Sequence, residues 1–146
     1  MSHAKLLFYT HGLVDGGAER LWACLATAFK QRGYDVLFVQ DFEAEENRAN
    51  LDASIPLITL GRNHFRATWR LAEVLREHRP DIALTAAGGS NTKLLAAMRL
   101  SGVPTRALIS YHGYNEWKTG WLSWFTYVML PMLSRLSTRT IAVSEG

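Results

Sequence analysis

The residues best suited to chemistry form one turn, Gly16-Gly17-Ala18-Glu19-Arg20, preceded by Thr10-His11-Gly12-Leu13-Val14-Asp15. Two glycines at the start of a helix let a ligand approach the backbone closely. The free N–H groups there, with the positive end of the helix dipole, suit a phosphate. The turn is not the dinucleotide fingerprint G-x-G-x-x-G, nor a P-loop, since no Gly-Lys-Ser/Thr follows. Glycine also serves a tight turn, and the residues alone leave both readings open. His11 can touch a phosphate or an acceptor group, or be a packed, hydrogen-bonded histidine. A second glycine pair, Gly88-Gly89, precedes Ser90 and Asn91, whose hydroxyl and amide can meet a ligand or cap the next helix. Two further turns are His112-Gly113-Tyr114-Asn115-Glu116 and Ser144-Glu145-Gly146. Glu116 is either an acceptor contact or a solvated loop residue. His3, His64 and His78 lack the partner spacing of a metal site, and Cys24 reads as a small helix residue.

These turns need elements to hold them. Strands are expected over residues 5–10, 34–40, 55–60, 81–86, 106–111 and 139–144. The first helix begins at Gly17 and carries Ala18, Leu21, Trp22, Leu25, Ala26 and Phe29 as one apolar stripe, with Gly33 as its stop. A second helix over 67–78 turns Thr68, Leu71, Ala72 and Leu75 inward and its arginines outward, and ends before Pro80. A third runs from the Gly88–Asn91 region to Ser101, with Ser90 or Asn91 as its cap. A fourth spans 118–136 and is apolar all round, so it should be buried, one face against the sheet and the remainder against a missing domain, a second copy or the membrane boundary, with a kink at Pro131 unless its geometry is relieved locally. Residues 41–54 are polar and without period, a loop with at most one helical turn. Most strands are continuously apolar, as in a parallel sheet covered on both faces. The expected fold is α/β: a Rossmann-like, doubly wound, mainly parallel sheet of about six strands with helices on both faces. The functional edge of such a sheet is the carboxyl end of its strands, where these turns fall.

Bulk properties set limits. The chain has 146 residues, 48% apolar and 20% charged, as in a globular domain with a real core. One cysteine permits no internal disulfide and suits a reducing compartment. No basic segment followed by an apolar run opens the chain, so no secretory signal is expected. The uncharged stretch 119–134 is too short and too interrupted to span a bilayer. The net charge of +3 and pI near 9.2 do not by themselves imply nucleic acid. The charge is uneven: Arg62, Arg66, Arg70, Arg76 and Arg79 face only Glu73 and Glu77. That stretch is a solvated helix face or one drawn to anionic lipid.

Gly16-Gly17-Ala18-Glu19-Arg20 after a first strand, followed by Leu21 and a helix, resembles the N-terminal domain of family 4 glycosyltransferases of the GT-B fold. Arg79-Pro80-Asp81-Ile82 resembles that family's lead into the fourth strand, and Tyr111-His112-Gly113 its histidine turn. Ser137-Thr138-Arg139-Thr140-Ile141-Ala142-Val143-Ser144-Glu145-Gly146 resembles its late strand and turn. The resemblance implies one half of a GT-B architecture, an acceptor-side domain over 1–146 whose donor-binding C-terminal domain lies outside this sequence. An ending at a βα turn agrees with a fragment, expected to be inactive alone. It implies retaining transfer of a sugar from a nucleotide diphosphate sugar to a hydroxyl of a glycan or lipid-linked acceptor, with no cofactor and no bound metal. Gly16 and Gly17 become diphosphate contacts, and His112 a neutral imidazole near the transferred sugar. His11, Ser90, Asn91 and Glu116 become acceptor-side candidates. A cytoplasmic enzyme of cell-envelope polysaccharide synthesis, possible peripheral contact with the inner face of the membrane included, is the expected setting. The alternatives are a non-catalytic docking module for membrane or protein, built on the arginine stretch and the aromatic helix, and another GT-B-like sugar-nucleotide enzyme such as an epimerase.

Overall fold

A computed structural model describes residues 3–86, 88–112, 128–136 and 138–143. The chain alternates strand and helix. Strands are β1 (Lys5–Thr10), β2 (Asp35–Gln40), β3 (Leu57–Thr59), β4 (Ile82–Ala86), β5 (Arg106–His112) and β6 (Arg139–Val143). Helices are α1 (Gly17–Gln31), α2 (His64–His78), α3 (Gly88–Ser101) and α4 (Leu130–Leu136), with one 3-10 turn at Arg48–Asn50 in the polar loop. The six strands lie in the order β3-β2-β1-β4-β5-β6, and every pair is parallel. This is the doubly wound Rossmann order expected from the apolar strands.

Both sheet faces are covered, so β1, β2 and β4 are buried almost end to end. Leu6, Phe8, Val36, Phe38 and Leu84 pack against Trp22, Ala23 and Ala26 of α1. Phe8 lies at the centre of that side, parallel to Phe38 at 6.3 Å and edge-on to Trp22 at 6.2 Å. Alternate residues of the same strands, Leu7, Tyr9, Leu37, Val39 and Ala83, face α2 and α3 through Leu71, Leu75, Leu94 and Ala97.

Several boundaries differ from those the sequence suggests. The α1 stripe centres on Trp22 and Ala26, which leaves Leu21 at its margin and exposed, while Ala23 is buried. Helix α2 starts at His64 because the Asn63 side chain accepts from the Arg66 N–H at 3.1 Å, an N-cap four residues before the expected start at Ala67. Its expected inward residue Thr68 is only half-buried and donates to the His64 carbonyl at 2.8 Å. The helix stops at Arg79, the single non-glycine with positive φ among the described residues, at 45°. Strand β3 keeps only three residues. Helix α3 already begins at Gly88, so Ser90 and Asn91 lie inside its first turn and do not cap it. Of the expected helix over 118–136, residues 118–127 lie outside the described residues. Val128 is helical and Met129 a turn before α4 begins at Leu130, so the helix is interrupted just ahead of Pro131, which falls in the first turn of α4. Val128, Met132 and Leu136 are exposed.

Candidate functional site

The chain winds to one side of β1 and, through β4, to the other, so the sheet changes direction between these two neighbours. In open parallel sheets ligands bind outside the carboxyl ends of the strands at such a point. Helix α1 follows β1 on one face and α3 follows β4 on the other. Two helix N-termini therefore flank this edge.

At the first, Gly16 is extended (φ −156°, ψ 147°) and provides no side-chain cap to α1. Any residue adopts that backbone, so φ does not explain the glycine. A Cβ there would meet Glu19 Oε2 at 2.1 Å, because the Glu19 carboxylate folds back over Gly16. At Gly17 nothing lies within 4 Å of an added Cβ. The turn before it is braced by Asn47, whose side-chain amide donates to the Gly16 carbonyl at 3.4 Å and to that of Val14. At the second N-terminus, Ser90 and Asn91 are buried. Asn91 Nδ2 donates to the Ser110 carbonyl at 3.0 Å and ties α3 to β5. Ser90 Oγ, Asn91 Oδ1 and Thr85 Oγ1 have no hydrogen-bond partner among the described residues. His112 ends β5, in register with Val143. The residues after it, Glu116 included, and the Ser144-Glu145-Gly146 turn lie outside the described residues.

The most organised part of this edge gathers around His11, through two residues, Asp41 and Lys93, that the sequence did not single out. Thr10 of β1 pairs in register with Gln40 of β2, so His11 and Asp41 emerge side by side. The Asp41 N–H donates to the His11 carbonyl at 3.0 Å. The Asp41 side chain, 1% exposed, accepts three bonds: from Tyr9 OH at 2.7 Å, from His11 Nδ1 at 2.7 Å, and from Lys93 Nζ. Lys93 comes from α3, is also buried, and lies 5.8 Å from the centre of the Tyr9 ring. Burial pushes the Asp41 carboxyl upward, but the bonds from His11 and Lys93, the Lys93 charge and the Tyr9 hydroxyl together hold it below the usual range. Tyr9 is driven far up, first by burial and then by the Asp41 charge and hydrogen bond.

His11 itself remains half-exposed. Its ring meets the edge of Phe42 at 4.8 Å and lies nearly parallel to His64 at 6.2 Å. Gly12 leaves room beneath this stack, since a Cβ there would come within 2.8 Å of the Phe42 ring and push it aside. Burial lowers the pKa of His64, and the Lys93 and His11 charges lower it further, against the pull of Asp41. The dyad's signal in the sequence was positional: two polar residues, each the first after a buried strand, with adjacent strands in parallel register.

The arginine stretch has several fates. Arg62 covers Phe42 at 4.7 Å, Arg70 donates to the Leu60 carbonyl at 2.7 Å, and Arg76 holds carbonyls at the end of α3. Between them Phe65 is 90% exposed and Trp69 is more than half exposed. Among the described residues no group of three or more His, Cys, Asp or Glu could hold a metal, and no helix is long and apolar enough to cross a membrane.

The fold matches solved structures along nearly its whole length. MurG of Acinetobacter baumannii superposes with a TM-score of 0.65 at 16% identity, over 98% of this chain and 47% of that one. WbmH of Bordetella bronchiseptica, solved with NAD+, gives 0.65 at 10% identity, over 96% and 55%. The glycosyltransferase SnogD of Streptomyces nogalater gives 0.56 at 15% identity, over 100% and 44%. At these identities the likeness concerns the fold, and the chain spans about half the length of the first two structures. No curated protein matches the sequence. Residues 15–146, from the glycine turn to the last strand and beyond, match the family description Glycosyltransferase Family 4, and the chain belongs to that family.

Proposed function

We propose that the protein carrying this domain transfers a sugar from a nucleotide diphosphate sugar to a hydroxyl of a glycan or lipid-linked acceptor. The family match over residues 15–146 carries this reading. The uncapped start of α1 supports the place of the diphosphate: its free N–H groups and dipole favour the charge that develops on the departing group. Gly16 and Gly17 supply these contacts through backbone. A second domain supplies most of the donor site, His112 meets a hydroxyl of the transferred sugar, and His11, Ser90, Asn91 and Glu116 line the acceptor side. The sugar keeps its anomeric configuration, and no divalent metal takes part. Rate comes from holding two substrates together and stabilising the diphosphate.

Gly17→Asp tests the diphosphate contact. The open space at this position accepts the side chain, and a carboxylate in the first turn favours the helix by about 0.3–1 kcal/mol. It would also repel a diphosphate. In the longer protein, kcat/KM for the donor should fall at least about tenfold, or 1.4 kcal/mol, with stability kept. An unchanged donor kcat/KM refutes the contact. For the reaction itself, a panel of nucleotide sugars is incubated with glycan and lipid-linked acceptors in the presence of a chelator. Acceptor-dependent release of nucleoside diphosphate, with a product of unchanged anomeric coupling, is expected; no release with any donor removes the transferase reading.

Phe65 and Trp69, exposed among Arg62, Arg66 and Arg70, favour a peripheral membrane contact as well. Salt-sensitive sedimentation with anionic vesicles is expected. Absence of binding at low salt excludes it.

A further inference from the structure

His11 is held in one orientation from below. Asp41 is buried and ionised, so its oxygens only accept, and the proton between Asp41 Oδ2 and His11 Nδ1 belongs to the imidazole. The carboxylate is in turn fixed from two other elements, by Tyr9 OH of β1 and Lys93 Nζ of α3. Its backbone is pinned as well: the Asp41 carbonyl accepts from the Gly61 N–H at 2.6 Å. With Nδ1 committed downward, a neutral His11 keeps its lone pair on Nε2. The ring is half-exposed at the carboxyl edge, within the same loop that leads to Gly16 and Gly17. A lone pair there accepts a hydrogen bond from an incoming hydroxyl. The opposite tautomer would present a donor and leave the Asp41 carboxylate one bond short.

We propose that Asp41, locked by Lys93 and Tyr9, is a positioning residue that fixes the Nδ1–H tautomer of His11 and so presents Nε2 to the hydroxyl that receives the sugar. The second half of this statement rests on the transferase reading; the first half does not. Lys93 serves two ends. Its charge keeps Asp41 ionised, and its origin on α3 couples the dyad to the helix that carries Ser90 and Asn91. Phe42 and His64 flank the imidazole on its sides, so the ring has little freedom to turn away from Asp41.

The test has two arms. In the first, the histidine ring nitrogens of this chain are followed by 15N NMR at a pH where His11 is neutral. The wild type should show His11 with Nδ1 protonated and Nε2 bare. Asp41→Asn leaves Lys93 buried without its counter-charge and is prone to unfold, so Asp41→Asn/Lys93→Met, which removes both charges, accompanies it. Either folded variant should shift His11 toward the Nε2–H form. A wild-type His11 that is already Nε2–H, or a tautomer unchanged in the double variant, overturns the proposal. In the second arm, steady-state kinetics of the longer protein compare His11→Ala, His11→Gln and the double variant. Loss of one neutral hydrogen bond predicts a rise in acceptor KM of roughly two- to tenfold, with the donor KM kept. An equal rise for both substrates, or none for the acceptor, overturns the hydroxyl assignment even if the tautomer behaves as expected. A wild type with no transfer at all fails the transferase reading instead, and leaves the tautomer result standing.

Discussion

Lys93→Met is the most informative single perturbation of this fold. The Lys93–Asp41 pair joins α3 to the end of β2 with both partners almost without solvent contact. Methionine keeps the length of the stem and removes the ammonium. Asp41 would then hold its charge on two remaining donors, Tyr9 OH and His11 Nδ1. Breaking a buried pair from one side costs about 3–5 kcal/mol, because the other charge stays behind without compensation. The two surviving hydrogen bonds place this case near the lower end, at about 3 kcal/mol. A domain of this size has a total stability of only about 5–15 kcal/mol. With a urea slope of about 2 kcal/mol/M, the unfolding midpoint should fall by about 1.5 M. Asp41→Asn should cost a similar amount by stranding Lys93. Asp41→Asn/Lys93→Met should lie within about 1 kcal/mol of the wild type, since replacing both members of a buried pair is often neutral. Urea unfolding of all four proteins closes the cycle. Additive losses, or a Lys93→Met loss below about 1 kcal/mol, would refute the reasoning that these charges depend on each other.

Arg79 occupies the left-handed region at φ 45°, where an L side chain costs about 1–2 kcal/mol. Arg79→Gly relieves this but adds disorder to the unfolded chain, so thermal unfolding should register between no change and a gain of about 1 kcal/mol; a clear loss would mean the arginine side chain matters more than its backbone. The pH dependence should have two parts. Asp41 is depressed below its ordinary value of 3.8, so its contribution is complete above that value and is lost as pH falls through the lower folded value. His64 is depressed below 6.5, so the unfolded chain takes its proton first and stability declines as pH drops below 6.5. His64→Gln should flatten the decline just under pH 6.5 while keeping the acid loss; a curve parallel to the wild type's would exclude His64 as its source.

The sequence carried the sheet because burial on both faces leaves no alternation to confuse with a helix: residues 5–10 and 81–86 read as strands from apolarity alone. It carried the end of α1 because Gly33, at φ 87°, suits the left-handed stop. The start of α2 was harder, since Asn63 caps it before the apolar period is established. Gly16 and Gly17 were legible as a helix start, because glycines there leave a local mark. The Asp41 network was not. Asp41 lies at the head of an acidic loop, and Lys93 looks like an ordinary surface lysine on a helix. What joins them to His11 is the register of β1 with β2 and the return of α3 over Tyr9, which are long-range facts. Ser90 and Asn91 were readable as polar residues at a helix start, but their burial depends on where α3 begins against β5.

The central place of β1 also has a consequence for synthesis. Its two edges belong to β2 and β4, and the bond from the Lys5 N–H to the Asp81 carboxylate joins residues 76 apart. At about 5–20 residues per second, a ribosome needs about 4–15 s to make the intervening chain. During that time β1 can be paired with β2 on one side only, and the unpaired N–H and C=O groups of its other edge wait for a strand that does not yet exist. Nascent chains stalled before residue 82 should therefore be the ones most in need of a chaperone.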